Sequence, residues 1–249
     1  GTRSAFAEAS SEKMAMEPLQ VGSFPTYVAG EPGAPAVIVI QEWWGVTDEI
    51  KRHALRIAGA GFRVLVPDIY KGKMSVDKEE AHHLMSNLDF PNAVKEISEA
   101  AAHLKQVEKS PKVGVVGFCM GGALTLGALA ASADIECGAP FYGVNGQLFE
   151  CSALAAKPVQ GHFGEKDAMT GFSDPATGKK LEADLKAAGN KDAECFVYEG
   201  VGHAFMNETP APYESFEART AAMGMPPYDK TQAELAWSRL LDFFKKHLM

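Results

Sequence analysis

The chain has 249 residues, of which 46% are hydrophobic and 22% are charged, a composition typical of a globular protein with a sizeable core. Its formal net charge of -8 argues against a nucleic-acid groove or an anionic membrane surface, because both need clustered Lys and Arg. The sequence also has no apolar run of about 18 residues that could cross a membrane. We therefore expect neither nucleic acid nor a membrane as a partner.

The cysteines and the N-terminal residues bear on the compartment. Four cysteines, at positions 119, 137, 151 and 195, include no Cys-x-x-Cys pair, which favours a reducing compartment. Residues 1–17 lack the apolar core of a secretory signal, and we expect a flexible segment that is a tag or a targeting remnant. A cytoplasmic location is the default expectation, with an organelle as the alternative if residues 1–17 descend from a transit peptide. Residues 18–249 show no repeat or linker, which predicts a single domain, and we expect a monomer.

Strands and helices alternate along the chain. Short apolar runs predict buried strands, and apolar residues spaced three or four positions apart predict amphipathic helices. In chain order, the sequence predicts an antiparallel strand pair within 19–28, a strand at 36–40, a helix from the N-cap candidates Thr47 and Asp48 to Gly59 and Gly61, a strand at 63–67, a short helix within 71–88, a helix at 91–107, a strand at 112–116, a helix at 120–131, strands at 137–142 and 158–163, a helix at 175–188, a strand at 195–198 and a helix at 230–247. This alternation predicts an α/β fold with a mostly parallel central sheet and helices on both faces.

A candidate nucleophile follows the strand at 112–116, in the run Gly117-Phe118-Cys119-Met120-Gly121-Gly122. A nucleophile elbow needs small residues on both sides of the nucleophile, because its backbone is strained and neighbouring segments approach closely. The turn puts Cys119 at a helix N-terminus, where the macrodipole favours a thiolate, and aims the Met120 N–H at a bound carbonyl oxygen. The alternative is a buried structural cysteine in a tight turn.

An acid and a base follow the next strands in the order that this chemistry requires. Asp167 comes directly after the strand at 158–163, and His203 lies in the loop after the strand at 195–198. The order nucleophile, acid, histidine is that of an α/β-hydrolase triad. His203 would shuttle the proton and Asp167 would fix its tautomer. Taken singly, each residue is also a common loop residue.

These motifs, together with Gln41-Glu42-Trp43-Trp44-Gly45-Val46, resemble those of the dienelactone hydrolases (carboxymethylenebutenolidases) from Leu19 onward. The resemblance implies the α/β-hydrolase fold and hydrolysis of small-molecule esters or lactones. It also implies that Glu42 controls the protonation of Cys119, and that the Trp43 and Met120 N–H groups form the oxyanion hole. Independently, a carboxylate at the end of an apolar strand is costly to bury without a specific partner or role.

The resemblance also implies a substrate pocket, and here the sequence departs from the family. Members that cleave dienelactone hold the substrate carboxylate with arginines, whereas the matching segments of this chain offer Asn207 and Lys78. Neither residue can form a charged bidentate clamp, so we expect a broader esterase or lactonase. The candidate substrate-binding residues are Trp44, Lys78, His82, Met85, Tyr142, Phe205 and Asn207.

The sequence indicates neither a metal nor a cofactor. It contains no His-Glu-x-x-His motif and no Cys/His cluster with metal-ligand spacing. The cysteine-bearing turn presents a side chain where dinucleotide and phosphate loops present bare backbone. Two alternatives to a hydrolase stay open, because fold and triad do not fix the reaction. One is a peptidase or acyltransferase on this fold, and the other is a binding protein that keeps the pocket without catalysis.

Overall fold

The structure, a computed structural model, describes residues 15–249. Within this range eight strands form one sheet in the order β1-β2-β4-β3-β5-β6-β7-β8. Strands β1 and β2 run antiparallel to their neighbours, and the other six are parallel. The strands are Glu17–Val21 (β1), Phe24–Ala29 (β2), Ala36–Ile40 (β3), Arg63–Pro67 (β4), Val113–Phe118 (β5), Cys137–Phe141 (β6), Val159–Gly164 (β7) and Ala193–Tyr198 (β8).

Helices cover both faces of the sheet. They are Asp48–Gly59 (α1), Lys78–Ser86 (α2), Phe90–Gln106 (α3), Met120–Ala131 (α4), Pro175–Ala187 (α5), Phe216–Met223 (α6) and Lys230–Leu248 (α7). Apolar residues of α1 and α7 fill one core cluster. Those of α3, α4 and α5 fill a second cluster on the other face. The predicted α/β architecture with a mostly parallel sheet is confirmed.

The buried strands explain this arrangement. Every residue of β3, β4, β5, β6 and β7 is buried, as expected of parallel strands that helices cover on both sides. The Thr47 side chain caps α1 by accepting the Ile50 N–H at 3.4 Å, as predicted. The carboxyl ends of the parallel strands share one edge of the sheet, where such folds place their sites.

Three details differ from the predictions. The sequence predicts that Pro25 interrupts the antiparallel pair, whereas the pair turns at Gly22 and Ser23 and Pro25 lies within β2. Strand β1 begins at Glu17, inside the segment predicted to be flexible, and residues 1–14 of that segment lie outside the described residues. Helix α6 was not predicted, although Ser215 caps it and the left-handed Gly224 ends it.

Two further observations concern the cysteines and the helices. All four cysteines are free in the structure. None of the helices within residues 15–249 combines the length and the apolar composition that a bilayer crossing requires.

Candidate active site

Cys119 occupies a strained turn between β5 and α4. Its φ of 55° and ψ of -117° lie in a region that non-glycine residues rarely adopt, and its N–H donates to the Phe141 carbonyl at 3.0 Å. A Cβ added at Gly117 would lie 2.1 Å from the Gly121 carbonyl oxygen, and one at Gly121 would lie 2.5 Å from that of Gln41. Glycine at both positions is therefore what lets strand, turn and helix approach so closely.

His203 and Asp167 form a buried hydrogen-bonded pair beside this turn. The Nδ1 atom of His203 donates to Oδ2 of Asp167 at 2.7 Å, and Oδ1 of Asp167 accepts the Met169 N–H at 3.1 Å. The hydroxyl of Ser173 lies 3.1 Å from the same Nδ1 atom. Ser173 was not predicted, since a serine before a helix has no distinguishing sequence signal. These contacts fix the tautomer that leaves Nε2 free to act on the nucleophile.

The charges around His203 favour its protonated form. Burial acts to lower the pKa of His203, but the Cys119 thiolate and the Asp167 carboxylate outweigh burial and raise this pKa to about 10. Burial likewise acts to raise the pKa of Asp167, and the hydrogen bond and charge of His203 bring it below its usual value. The arrangement therefore stabilises an imidazolium at His203 on an ionised aspartate.

Glu42 lies at the carboxyl end of β3 with only 2% of its surface exposed. Asn207 donates its amide Nδ2–H to both carboxylate oxygens, at 3.0 and 3.3 Å. Burial raises the pKa of Glu42, while the hydrogen bond from Asn207 and the charge of His203 act to lower it. Among residues 15–249, the hydrogen bonds to this carboxylate come from Asn207 rather than from the Cys119 thiol.

The two candidate oxyanion donors lie next to the nucleophile. Met120 is the first residue of α4, so its N–H is among the four that have no acceptor within the helix. Trp43 stands in the short turn after β3, which pairs in register with β5 through Ile40 and Gly117. Both residues thus follow neighbouring parallel strands at the same edge of the sheet.

A small cavity brings these residues together. It has about 20 Å³ of free space, roughly room for one water molecule. The sheet side of the cavity is formed by Glu42, Trp43, Trp44, Cys119, His203, Ala204 and Asn207. The opposite side comes from the segment that contains α6, through Ala211, Tyr213, Arg219, Met223 and Met225. A larger cavity of about 470 Å³ adjoins it and shares Glu42, Trp44, Asn207 and Ala211.

Comparison with known proteins identifies the family. The family model described as the dienelactone hydrolase family matches residues 24–248. The chain belongs to the dienelactone hydrolase family. This result confirms the resemblance of the sequence motifs and the hydrolase class that the resemblance predicts.

Individual relatives agree with this assignment. Protein usf of Aquifex pyrophilus is 32% identical over 228 residues, which cover 87% of this chain and 90% of that protein. Carboxymethylenebutenolidase 1 of Cupriavidus pinatubonensis is 32% identical over 161 residues, which cover 59% and 68% of the two chains. A dienelactone hydrolase-like promiscuous phosphotriesterase from metagenomic libraries has a TM-score of 0.75 at 20% identity, covering 94% of this chain and 100% of that chain. This structural likeness confirms the α/β-hydrolase fold.

Arg219 of α6 is a feature of this dienelactone hydrolase family member that the sequence did not reveal. Its side chain is buried, with 3% exposure, and its Nη2 donates to the Pro226 carbonyl at 2.9 Å. Its Nε has no hydrogen-bond partner, and no carboxylate lies within 4 Å of the guanidinium, among residues 15–249. Within the described residues, a buried cation that has no salt-bridge partner therefore borders the cavity of Cys119, and the Glu42 carboxylate of the same cavity acts on it from a longer distance.

The predicted substrate-binding residues of this family member are distributed over three places. Trp44 and Asn207 line the cavity with Cys119, and the Asn207 side-chain amide donates a hydrogen bond to Glu42. Tyr142 and Phe205 lie in the core, where the Tyr142 ring packs 5.1 Å from the His203 ring and 5.5 Å from the Phe205 ring. Residues of α2 lie apart from the cavity: Met85 borders a neighbouring apolar cavity with Met120, and Lys78 and His82 face solvent.

No group of three or more His, Cys, Asp or Glu side chains within the described residues, 15–249, has the geometry to hold a metal ion.

Proposed function

We propose that this protein hydrolyses esters or lactones of small molecules through a covalent thioester at Cys119. The observation that carries this proposal is the strained turn at Cys119 beside a buried His203 whose Nδ1 is held by Asp167. A nucleophile, a base and an acid that orients the base are the parts that acyl transfer to a thiol needs. A nucleophile and a base that line one cavity, with an acid that holds the base, favour catalysis over simple binding.

In the first half of the reaction, His203 holds the thiol proton and the Cys119 thiolate attacks the carbonyl carbon. The carbonyl oxygen takes the electron pair, and the N–H groups of Trp43 and Met120 donate to it. As the carbonyl re-forms, the bond to the alcohol oxygen breaks and the His203 imidazolium gives its proton to that oxygen. The alcohol leaves, or stays tethered if the substrate is a lactone, and the acyl group remains on Sγ.

In the second half, neutral His203 takes a proton from a water molecule as the water oxygen attacks the thioester carbon. The tetrahedral intermediate collapses, the carbon–sulfur bond breaks, and the thiolate re-forms beside the imidazolium. Glu42 borders the same cavity, and burial raises its pKa, so it is suited to holding a proton near the thiol between turnovers. In this proposal Glu42 modulates the nucleophile and takes no part in the acyl transfer.

Arg219 favours a substrate that carries a carboxylate near the scissile bond. The carboxylates of Glu42 and Glu49 act on the buried guanidinium only from beyond salt-bridge range, and an incoming substrate carboxylate would add charged hydrogen bonds to its unpartnered Nε. This proposal departs from the expectation drawn from Asn207 and Lys78, because the cation comes from α6, an element absent from the predicted fold.

Replacing the guanidinium tests this substrate preference. We expect Arg219→Met to raise the KM for mono-p-nitrophenyl succinate about 10- to 100-fold, since a charged hydrogen bond is worth about 1.5–3 kcal/mol. The KM for neutral p-nitrophenyl acetate should change less than about twofold, because it has no carboxylate to lose. Arg239→Met is the control, because Arg239 stacks on Phe196 at 3.9 Å, away from the cavity. An equal rise for both esters would contradict a carboxylate site.

Selective alkylation tests the proposed nucleophile. We expect iodoacetamide to modify Cys119 faster than the other cysteines, because Cys119 lies at the N-terminus of α4 and lines a cavity with His203. Burial raises the pKa of the thiols of Cys137, Cys151 and Cys195. Labelling of Cys119, mapped by peptide mass, should parallel the loss of p-nitrophenyl acetate hydrolysis. Full hydrolysis by protein that is completely labelled at Cys119 would overturn the proposal.

A further inference from the structure

Glu49, the second residue of α1, is a buried carboxylate with two partners that are distant in sequence. Its Oε1 accepts the Glu208 N–H at 2.8 Å, and its Oε2 accepts the Thr209 hydroxyl at 2.8 Å. Arg52, on the next turn of α1, also pairs with Oε2. A glutamate in the first turn of a helix ordinarily faces solvent, but only 6% of Glu49 is exposed. Both oxygens of this carboxylate therefore accept hydrogen bonds from the segment that follows His203.

The segment after His203 also positions Asn207, whose side chain donates a hydrogen bond to Glu42. The Asn207 N–H donates to the Ala204 carbonyl at 3.1 Å, which closes a turn directly after His203. The side chain of Asn207 then reaches Glu42 at 3.0 Å, and Glu49 holds the two residues that come next. Asn has a short side chain, so a backbone shift of about 1 Å would lengthen this hydrogen bond beyond useful range. The contact between Asn207 and Glu42 thus depends on how Glu49 fixes residues 208 and 209.

We propose that Glu49 is a positioning residue for the chemistry at Cys119, acting through residues 207–209 on Glu42. The proposal rests on the proposed function, in which Glu42 modulates the thiol. Glu49 does not line the cavity of Cys119, but it borders an adjacent cavity that shares Glu42, Trp44 and Asn207 as walls. It acts on the nucleophile only through other residues.

Glu49 also acts on Glu42 through its charge. Burial raises the pKa of Glu42 and the nearby Glu49 raises it further, against the hydrogen bond from Asn207 and the positive charges of His203 and Arg219. A neutral side chain at position 49 removes one of the two influences that raise this pKa. Glu42 would then lose its proton at a lower pH. Other titratable or charged groups also face this cluster. Tyr142 faces both carboxylates, and His53, Tyr228 and Arg52 face Glu49.

The variant Glu49→Gln keeps the size of the side chain and removes its charge. The main measurement is the rate of Cys119 alkylation by iodoacetamide as a function of pH, which needs no substrate. One limb of this profile should follow the protonation of Glu42, and it should therefore be absent in Glu42→Gln. In Glu49→Gln this limb should move to lower pH by about half a unit to one unit. For p-nitrophenyl acetate, kcat should fall about 10-fold and KM should stay within about twofold. In a Glu42→Gln background, Glu49→Gln should cause no further shift.

Two variants separate positioning from general stability. Glu96→Gln is matched, because Glu96 is also a helical glutamate with 6% exposure, and it pairs with Lys71 at 2.9 Å away from Cys119. Thr209→Val removes one partner of Glu49 without changing a charge. It should lower kcat about threefold and move the alkylation limb to higher pH, opposite to Glu49→Gln, because a looser Asn207 lowers the pKa of Glu42 less. A shift of equal size in Glu96→Gln, or an unmoved limb in folded Glu49→Gln, would overturn the role of Glu49. If the wild-type protein hydrolysed no ester, the proposed function would fail, and the alkylation profile would still decide the role of Glu49.

Discussion

The variant Cys119→Ala is expected to lose ester hydrolysis by about 10⁴-fold or more in kcat, with its fold intact. Removing the nucleophile of a triad leaves only the contribution of substrate binding and the oxyanion donors. The side chain of Cys119 is small and 8% exposed, so its truncation leaves little cavity and should hardly change stability. The measurement is steady-state release of p-nitrophenol from p-nitrophenyl acetate.

Cys195→Ala is the matched control for this result. Cys195 lies on the edge strand β8, where burial raises the pKa of its thiol to about 12, and it takes no part in the proposed reaction. We expect its variant to retain hydrolysis within about twofold of the unaltered protein. Retention of most activity in Cys119→Ala would contradict the nucleophile assignment, and so would comparable losses in both variants.

The second large effect concerns the turn that presents Cys119. In Gly117→Ala, the new Cβ would lie 2.1 Å from the Gly121 carbonyl oxygen and 2.7 Å from Oγ1 of Thr125. Strand β5 or helix α4 must move to relieve this overlap, and both are fully packed. We expect the free energy of unfolding to fall by about 3–5 kcal/mol, near the upper end for overpacked sites. Urea unfolding, compared at an unchanged slope, measures this loss.

Gly59→Ala provides the contrast for that measurement. Gly59 ends α1, and a Cβ there would have no atom within 4 Å. Alanine restricts the unfolded chain and suits a helix, so stability should stay constant or rise by about 0.5–1 kcal/mol. A loss in Gly117→Ala no larger than the change in Gly59→Ala would show that the turn tolerates a side chain.

Much of this fold is visible in the sequence because local patterns and global burial agree. The wholly apolar β3 and β5 predict strands covered on both faces, and the glycines around Cys119 predict the tight turn that the structure contains. Asp167 and His203 could be paired because parallel strands deliver their following loops to one edge. In each case the residue type and its position along the element both favour the structure that is observed.

The remaining parts of the site depend on contacts between distant segments. Helix α6 has only eight residues and no regular apolar stripe. The sequence therefore could not predict that Arg219 lines the same cavity as Cys119. The bond between Asn207 and Glu42 joins positions 165 residues apart, and the hold of Glu49 on Glu208 spans 159 residues. Such pairings follow from how loops pack over the sheet edge, which no local pattern in a single sequence specifies.

The most direct measurement of the central claim is the mass of the acyl-enzyme. Protein mixed with a p-nitrophenyl ester and quenched in acid during the first turnover should gain the mass of one acyl group. Peptide mapping should find that group on the sulfur of Cys119, and Cys119→Ala should gain nothing. An acyl group on any other residue, or a full first turnover of p-nitrophenol with Cys119 unmodified, would contradict the account.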